Sequence, residues 1–60
     1  MTTKTKNFTI EIEGNNVKVT NKFGDTYKGT LDENGKAITK TAIGLGYITK
    51  ALDELKELNV

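Results

Sequence analysis

The 60-residue chain contains no cysteine, histidine, serine or arginine, and each absence excludes a class of structure or chemistry. Without cysteine no disulfide can form, and without cysteine or histidine the usual zinc and copper ligands are missing. The Ser–His and Cys–His pairs of nucleophilic enzymes cannot be assembled either. We therefore expect no metal site, no cofactor and no enzymatic activity.

Long hydrophobic runs and a strong charge of one sign are also missing. No apolar run approaches the roughly 18 residues of a membrane span, and the N-terminus lacks the apolar block of a signal peptide. Nine lysines against eight acidic residues give a net charge of only +1, whereas proteins that coat DNA are usually strongly basic. Arginine, which forms bidentate contacts with guanine and phosphate, is absent. Because the chain is short and begins with Met1, we expect a complete cytoplasmic protein without a membrane partner.

The short length limits how large a core this chain can form. A chain of 60 residues has room for one domain and buries only about 60% of the surface that it exposes when unfolded. Small folds often gain stability from disulfides, a bound metal or self-association. Because the composition removes the first two, self-association is the remaining route.

Alternating polar and apolar residues predict an antiparallel sheet in the first half of the chain. In residues 8–13 (FTIEIE) the apolar side chains fall on one face and the polar ones on the other, the pattern of a half-buried strand. Residues 17–23 and 26–31 continue the pattern after turns that contain glycine. Residues 1–7 are polar without periodicity and are predicted to be a disordered arm. The predicted apolar face comprises Phe8, Ile10, Ile12, Val17, Val19, Phe23, Tyr27 and Leu31.

Loop lengths predict how these strands pair. A two-residue loop at residues 15–16 would place Phe8 opposite Phe23. A three-residue loop at residues 24–26 would then place Phe23 opposite Tyr27. Every pair in this register agrees in polarity, whereas a slip by one residue would turn the apolar side chains to the wrong face.

The only segment with a helical period is residues 41–58 (TAIGLGYITKALDELKEL). Thr39 or Thr41 can cap its N-terminus, because a short hydroxyl accepts hydrogen bonds from the first-turn amides. The stripe expected to cover the sheet comprises Leu45, Ile48, Leu52 and Leu55. A second seam beside it, expected to be left over, comprises Gly44, Ile48, Ala51, Leu55 and Leu58.

The apolar arc of this helix is wider than covering a sheet requires. With Ile43 and Tyr47 it spans roughly 200°, against a minimum of roughly 100° for a surface helix. Gly44 and Gly46 each cost about 1 kcal/mol relative to alanine in a helix interior. Two explanations remain open. Either the glycines permit close packing within a continuous helix, or residues 44–46 form a loop and the helix begins near Tyr47.

The predicted fold is therefore α+β, with a three-stranded antiparallel meander sheet and one C-terminal helix packed on its apolar face (β-β-β-α). A short fourth strand at residues 36–39 is an option, with Ile38 pointing inward. The single domain is expected to span residues 8–60.

The apolar surface left over on the helix favours a protein-binding function, because an exposed apolar margin is typical of an interface. Our first hypothesis is a small module that regulates or inhibits a partner protein by occupying its surface. Regulators and inhibitors encoded by phages and mobile elements share this size and class. The partner's identity is left open, and the helix could also form a homodimer. The predicted contact residues are Ile43, Gly44, Tyr47, Ala51, Glu54 and Leu58.

Two other functions remain open. Lys18, Lys22 and Lys28 project together from the outer sheet face in the predicted register, with Lys22 beside Lys28, and such a cluster could bind the phosphates of a nucleic acid. No aromatic side chain shares that face, so the stacking platform of single-strand binders is missing. The third hypothesis is a structural or assembly component that forms large ordered oligomers.

Overall fold

The computed structural model describes residues 1–58 as one antiparallel sheet followed by a helix that packs against it. The elements are β1 (Thr2–Lys4), β2 (Phe8–Glu13), β3 (Asn16–Asn21), β4 (Thr26–Leu31), β5 (Ala37–Ile38) and α1 (Ala42–Leu58). The strands lie side by side in chain order, so the sheet is a meander. The predicted α+β class is confirmed, and the sheet has five strands rather than three or four. The last two residues of the predicted domain lie outside the described part.

The N-terminal segment forms an edge strand of the sheet. Thr3 in β1 lies opposite Ile10 in β2, and the Met1 ammonium and carbonyl each form a 2.9 Å hydrogen bond with the backbone of Ile12. The prediction of a disordered arm over residues 1–7 is therefore wrong. A polar segment carries no burial pattern, yet its backbone groups can still complete the ladder at the open edge of β2.

The first predicted register is shifted by two residues. The β2–β3 loop consists of residues 14–15, and Phe8 lies opposite Asn21 rather than Phe23. Gly14 has φ +60° while Asn15 is not in the positive-φ region, which matches the type II′ preference for glycine at the first central position. A shift of two residues leaves every side chain on its predicted face, so alternation alone could not distinguish the two registers.

The second predicted register is also wrong, because the β3–β4 loop is longer than three residues. Val19 lies opposite Tyr27, and the Asn21 side chain closes the loop by accepting hydrogen bonds from the Phe23 and Asp25 amides at 2.9 and 3.0 Å. Phe23 therefore lies in the loop, is 81% exposed and is not part of the core. Local hydrogen bonding by the asparagine side chain outweighs the burial of one aromatic ring here.

The optional strand near residues 36–39 is present as β5, but its inward residue differs from the prediction. Ala37 lies opposite Leu31 and packs against the core, whereas Ile38 lies opposite Thr30 and is 55% exposed. The preceding turn is closed by Asp32, whose Oδ1 accepts hydrogen bonds of 2.8 Å from two backbone amides. This turn fixes which residues of β5 face the core, so that Ala37 rather than Ile38 points inward.

The helix is continuous from its first turn. Thr41 is the N-cap, because its hydroxyl accepts a 3.0 Å hydrogen bond from the Gly44 amide. The helix begins at Ala42, which confirms the continuous-helix alternative, and the alternative of a start near Tyr47 is wrong.

The face that α1 buries combines residues of both predicted stripes. The fully buried residues of the helix are Gly44, Ile48 and Ala51, with Leu52 and Leu55 packed partly buried beside them. Leu45, predicted to cover the sheet, is instead 41% exposed. The buried core comprises Phe8, Ile10, Val17, Val19, Ile48 and Ala51.

Candidate protein-binding surface on the helix

The six predicted contact residues do not form one surface in the structure. Gly44 and Ala51 are buried, so neither can contact a partner in this conformation. Ile43 and Leu58 are exposed, at 67% and 54%, but they lie in the first and last turns of α1. Of the six predicted contact residues, Gly44 and Ala51 are therefore not accessible on the surface of the helix.

Tyr47 lies at the margin of the core. Its ring stacks on Tyr27 with centroids 4.7 Å apart and an interplanar angle of 9°, and it meets Phe8 edge-on at 6.4 Å. Desolvation raises the pKa of Tyr27, and the Asp25 carboxylate and Tyr47 add to this shift. Tyr47 is 37% exposed, so part of its side chain packs against the core and the rest is accessible to solvent.

Glu54 is engaged within the chain. Its Oε1 accepts hydrogen bonds from the Thr5 hydroxyl at 2.7 Å and the Asn7 backbone amide at 3.1 Å, and its Oε2 accepts one from Asn7 Nδ2 at 2.8 Å. The bonds from the Asn7 and Thr5 side chains lower the pKa of Glu54, against an opposing effect of desolvation. We call these three residues the Glu54 latch, because they tie the loop after β1 to the helix. The Glu54 carboxylate is therefore bonded within the chain rather than free to contact a partner.

Protonation of Glu54 is expected to destabilise the fold at acid pH. Because the pKa is lowered in the folded state, the stabilisation is complete above the unfolded-chain pKa of about 4.3 and is lost as the pH falls through the folded-state pKa. Glu54→Ala should lower the urea midpoint at pH 7, and the difference from the original chain should shrink on acidification. The exposed Glu57→Ala variant should match the original chain. Equal midpoints for Glu54→Ala and Glu57→Ala would contradict this prediction.

The exposed apolar residues of α1 concentrate in its first two turns. No charged residue occurs within residues 41–49, although 28% of the whole chain is charged. We call five exposed, uncharged residues of this stretch the helix N-terminal surface: Ala42, Ile43, Leu45, Gly46 and Tyr47. The same helix carries Asp53, Lys56 and Glu57 on exposed positions further along.

Gly46 lies on the helix N-terminal surface with open space around it. A Cβ atom at Gly46 would meet no heavy atom within 4 Å, whereas one at Gly44 would lie 2.7 Å from the Thr41 hydroxyl oxygen. Packing within the chain therefore explains why position 44 is a glycine, but not why position 46 is. The sequence interpretation missed Leu45 and Gly46 as surface residues, and the absence of charge over residues 41–49 was the signal that pointed to them.

The three lysines of the nucleic-acid hypothesis are not grouped as predicted. Lys18 forms an ion pair with Glu11 at 3.2 Å and lies opposite Lys28. Lys22 lies in the β3–β4 loop, where its Nζ is 5.8 Å from the centroid of the Phe23 ring. The predicted pairing of Lys22 with Lys28 is therefore wrong, and an adjacent carboxylate offsets part of the positive charge on this face.

Within residues 1–58, no group of three or more acidic, histidine or cysteine side chains is placed to hold a metal ion. The helix in this part of the chain also lacks the length and apolar character needed to cross a membrane. Comparison of the chain with protein-family models, with curated proteins and with solved structures finds no match.

Proposed function

We propose that this chain is a non-enzymatic protein-binding module that regulates or inhibits a partner by covering part of the partner's surface. The supporting observation is the run of exposed, uncharged residues over the first two turns of α1, the helix N-terminal surface, which includes Ile43, Leu45 and Gly46. Exposed apolar side chains that cluster together, rather than lying singly, mark interaction sites. Burial against a partner would remove this apolar area from water, at roughly 25 cal/mol per Å².

The chemistry of this surface indicates the kind of partner that it fits. The five residues that form it carry no charge, and a charged partner surface would be desolvated against them without compensation. Gly46 costs about 1 kcal/mol relative to alanine in a helix interior, and its lack of a side chain would let the backbone of another element approach the helix closely. The proposed partner therefore presents an uncharged apolar helix or groove. Phosphates would find no cation here.

A matched pair of isoleucine substitutions tests this proposal. Ile43 and Ile38 are both more than half exposed, but only Ile43 belongs to the helix N-terminal surface. Aspartate at position 43 also suits the first turn of a helix, so the fold should persist. With a partner first isolated from host extract after nuclease treatment, Ile43→Asp should weaken binding at least about tenfold, whereas Ile38→Asp should not. Equal binding by the two variants would refute the proposal.

The other hypotheses give different outcomes in the same assays. Binding that disappears on nuclease treatment, weakens with salt and is lost when Lys18, Lys22 and Lys28 become glutamate would favour nucleic-acid binding instead. Sedimentation of the purified chain shows whether a second copy occupies the surface, since Ile43→Asp would then abolish a concentration-dependent dimer. Large ordered oligomers insensitive to this substitution would favour the assembly component.

A further inference from the structure

The edge strand β1 is weakly attached to the rest of the fold. None of its three residues is buried, and only Thr3 is even partly covered. The adjoining Met1 side chain is 65% exposed. The strand is therefore held by backbone hydrogen bonds to β2 and by contacts at its two ends. Segments with few buried apolar contacts open locally at a low free energy, well before the whole fold unfolds.

The loop that joins β1 to β2 lacks the geometry favoured in short hairpins. Two-residue hairpin loops usually contain positive φ angles, but among the described residues these occur only at Gly14, Gly24 and Gly35. The Thr5 amide donates a 2.8 Å hydrogen bond to the Phe8 carbonyl. In the other direction, the Phe8 amide donates to the Thr5 hydroxyl at 3.1 Å. Side-chain groups thus contribute to closing this loop.

The Glu54 latch holds the loop from the helix side. Its three hydrogen bonds join residues 47 to 49 positions apart in the chain. The charged groups that line the groove around Glu54 are Lys6, Lys50, Asp53 and Glu57. Neutralising or removing the Glu54 carboxylate leaves the Asn7 amide and the Thr5 hydroxyl without their charged acceptor, so the loop and β1 lose their tie to the helix.

We propose that β1 is an exchangeable strand, which detaches when the Glu54 latch opens and is replaced on β2 by the β1 strand of a second copy. The β2 edge accepts residues 1–5 through the register from Met1 opposite Ile12 to Thr5 opposite Phe8. An identical segment from another chain fits this edge by the same bonds. Exchange of an identical element is a low-cost route to a dimer, and short hinge loops favour it. This dimer does not use the helix N-terminal surface.

Concentration decides between the closed monomer and the exchanged dimer. Both states form the same strand contacts, so the monomer benefits only from the tether, which keeps its own β1 at an effective concentration on the order of millimolar. At micromolar concentration the chain therefore does not form the exchanged dimer. Exchange becomes measurable when the latch is opened at millimolar concentration.

Hydrogen exchange tests the opening of β1. The Ile12 amide lies in β2 but donates to the Met1 carbonyl, whereas the Leu31 amide at the end of β4 donates to the carbonyl of Asn15 in the β2–β3 loop. Ile12 should exchange at least about tenfold faster than Leu31, and Glu54→Ala should accelerate Ile12 about tenfold further without affecting Leu31. The exposed Glu57→Ala variant is the control. Equal protection at both amides, or no selective effect of Glu54→Ala on Ile12, would contradict the proposal that the Glu54 latch holds β1 in place.

Isotope mixing tests the exchange itself. Labelled and unlabelled Glu54→Ala chains, in which the latch is absent, are mixed at millimolar concentration at pH 7 and sized by light scattering. We expect a dimer fraction with intermolecular NOEs between residues 1–5 of one chain and β2 of the other. A chain that remains monomeric throughout, or a dimer that lacks these NOEs, would overturn the exchange.

Discussion

Ile48→Ala is expected to destabilise this fold by about 3 kcal/mol, within the 2–5 kcal/mol range of buried isoleucine truncations. Ile48 is 0% exposed and is one of the three largest fully buried side chains. It is also the central large residue of the seam by which α1 contacts the sheet. Small domains are stable by only about 0.05–0.15 kcal/mol per residue, or about 3–9 kcal/mol for this 60-residue chain, so the loss is a large share of the total stability.

Ile43→Ala is the matched control for Ile48→Ala, because it is the same chemical change in the same helix. Ile43 is 67% exposed, and its truncation should change the free energy of unfolding by no more than about 0.5 kcal/mol. Urea unfolding followed by circular dichroism measures both. Similar losses in the two variants would mean that α1 does not bury its Ile48 face.

Gly29→Ala has the second-largest expected effect, a loss of about 1–3 kcal/mol from overpacking. A Cβ atom at Gly29 would lie 2.7 Å from the Ile38 carbonyl oxygen and 3.2 Å from both Ile48 Cδ1 and Thr39 Cβ. The first of these neighbours is backbone, so β5 would have to move. That movement would also strain the 3.0 Å hydrogen bond from the Thr39 hydroxyl to the Lys28 carbonyl.

Gly46→Ala is the control for Gly29→Ala, with an effect of opposite sign. A Cβ atom at Gly46 meets nothing within 4 Å, so the substitution should stabilise the chain by up to about 1 kcal/mol through helix propensity. If Gly46 also admits a partner, the same variant should bind that partner more weakly while being more stable. A neutral Gly29→Ala in urea unfolding would contradict the close approach of β5 and Ile48.

Local patterns were sufficient to predict β2, β3, β4 and the helix, but not the edge strand β1 or the inward residue of β5. Phe8, Ile10, Val17 and Val19 alternate with polar residues, and all four are buried as predicted. Thr41 was recognisable as a cap because a hydroxyl before an apolar periodic segment satisfies the first-turn amides. These features depend on neighbours within a few residues, so the sequence expresses them directly.

The register of the strands could not be predicted in the same way. Shifts of two residues preserve which side chains face the core, so Phe8 opposite Phe23 looked as good as Phe8 opposite Asn21. The choice depended on Gly14 at a positive-φ position and on the Asn21 side chain closing the next loop. As a result Phe23 lies in an exposed loop, although its side chain is hydrophobic.

The assignment of the helix faces and the attachment of β1 were decided only by the tertiary structure. A 200° apolar arc offers several stripes of similar hydrophobicity, and packing against the sheet buried the face with Gly44, Ile48 and Ala51. This choice left Leu45 exposed in the candidate binding surface. Glu54 finds its partners 47 and 49 positions away, and no periodicity links them. The sequence by itself determined an α+β meander with a capped helix, because those features are local. Packing between distant segments determined which residues remain available for binding.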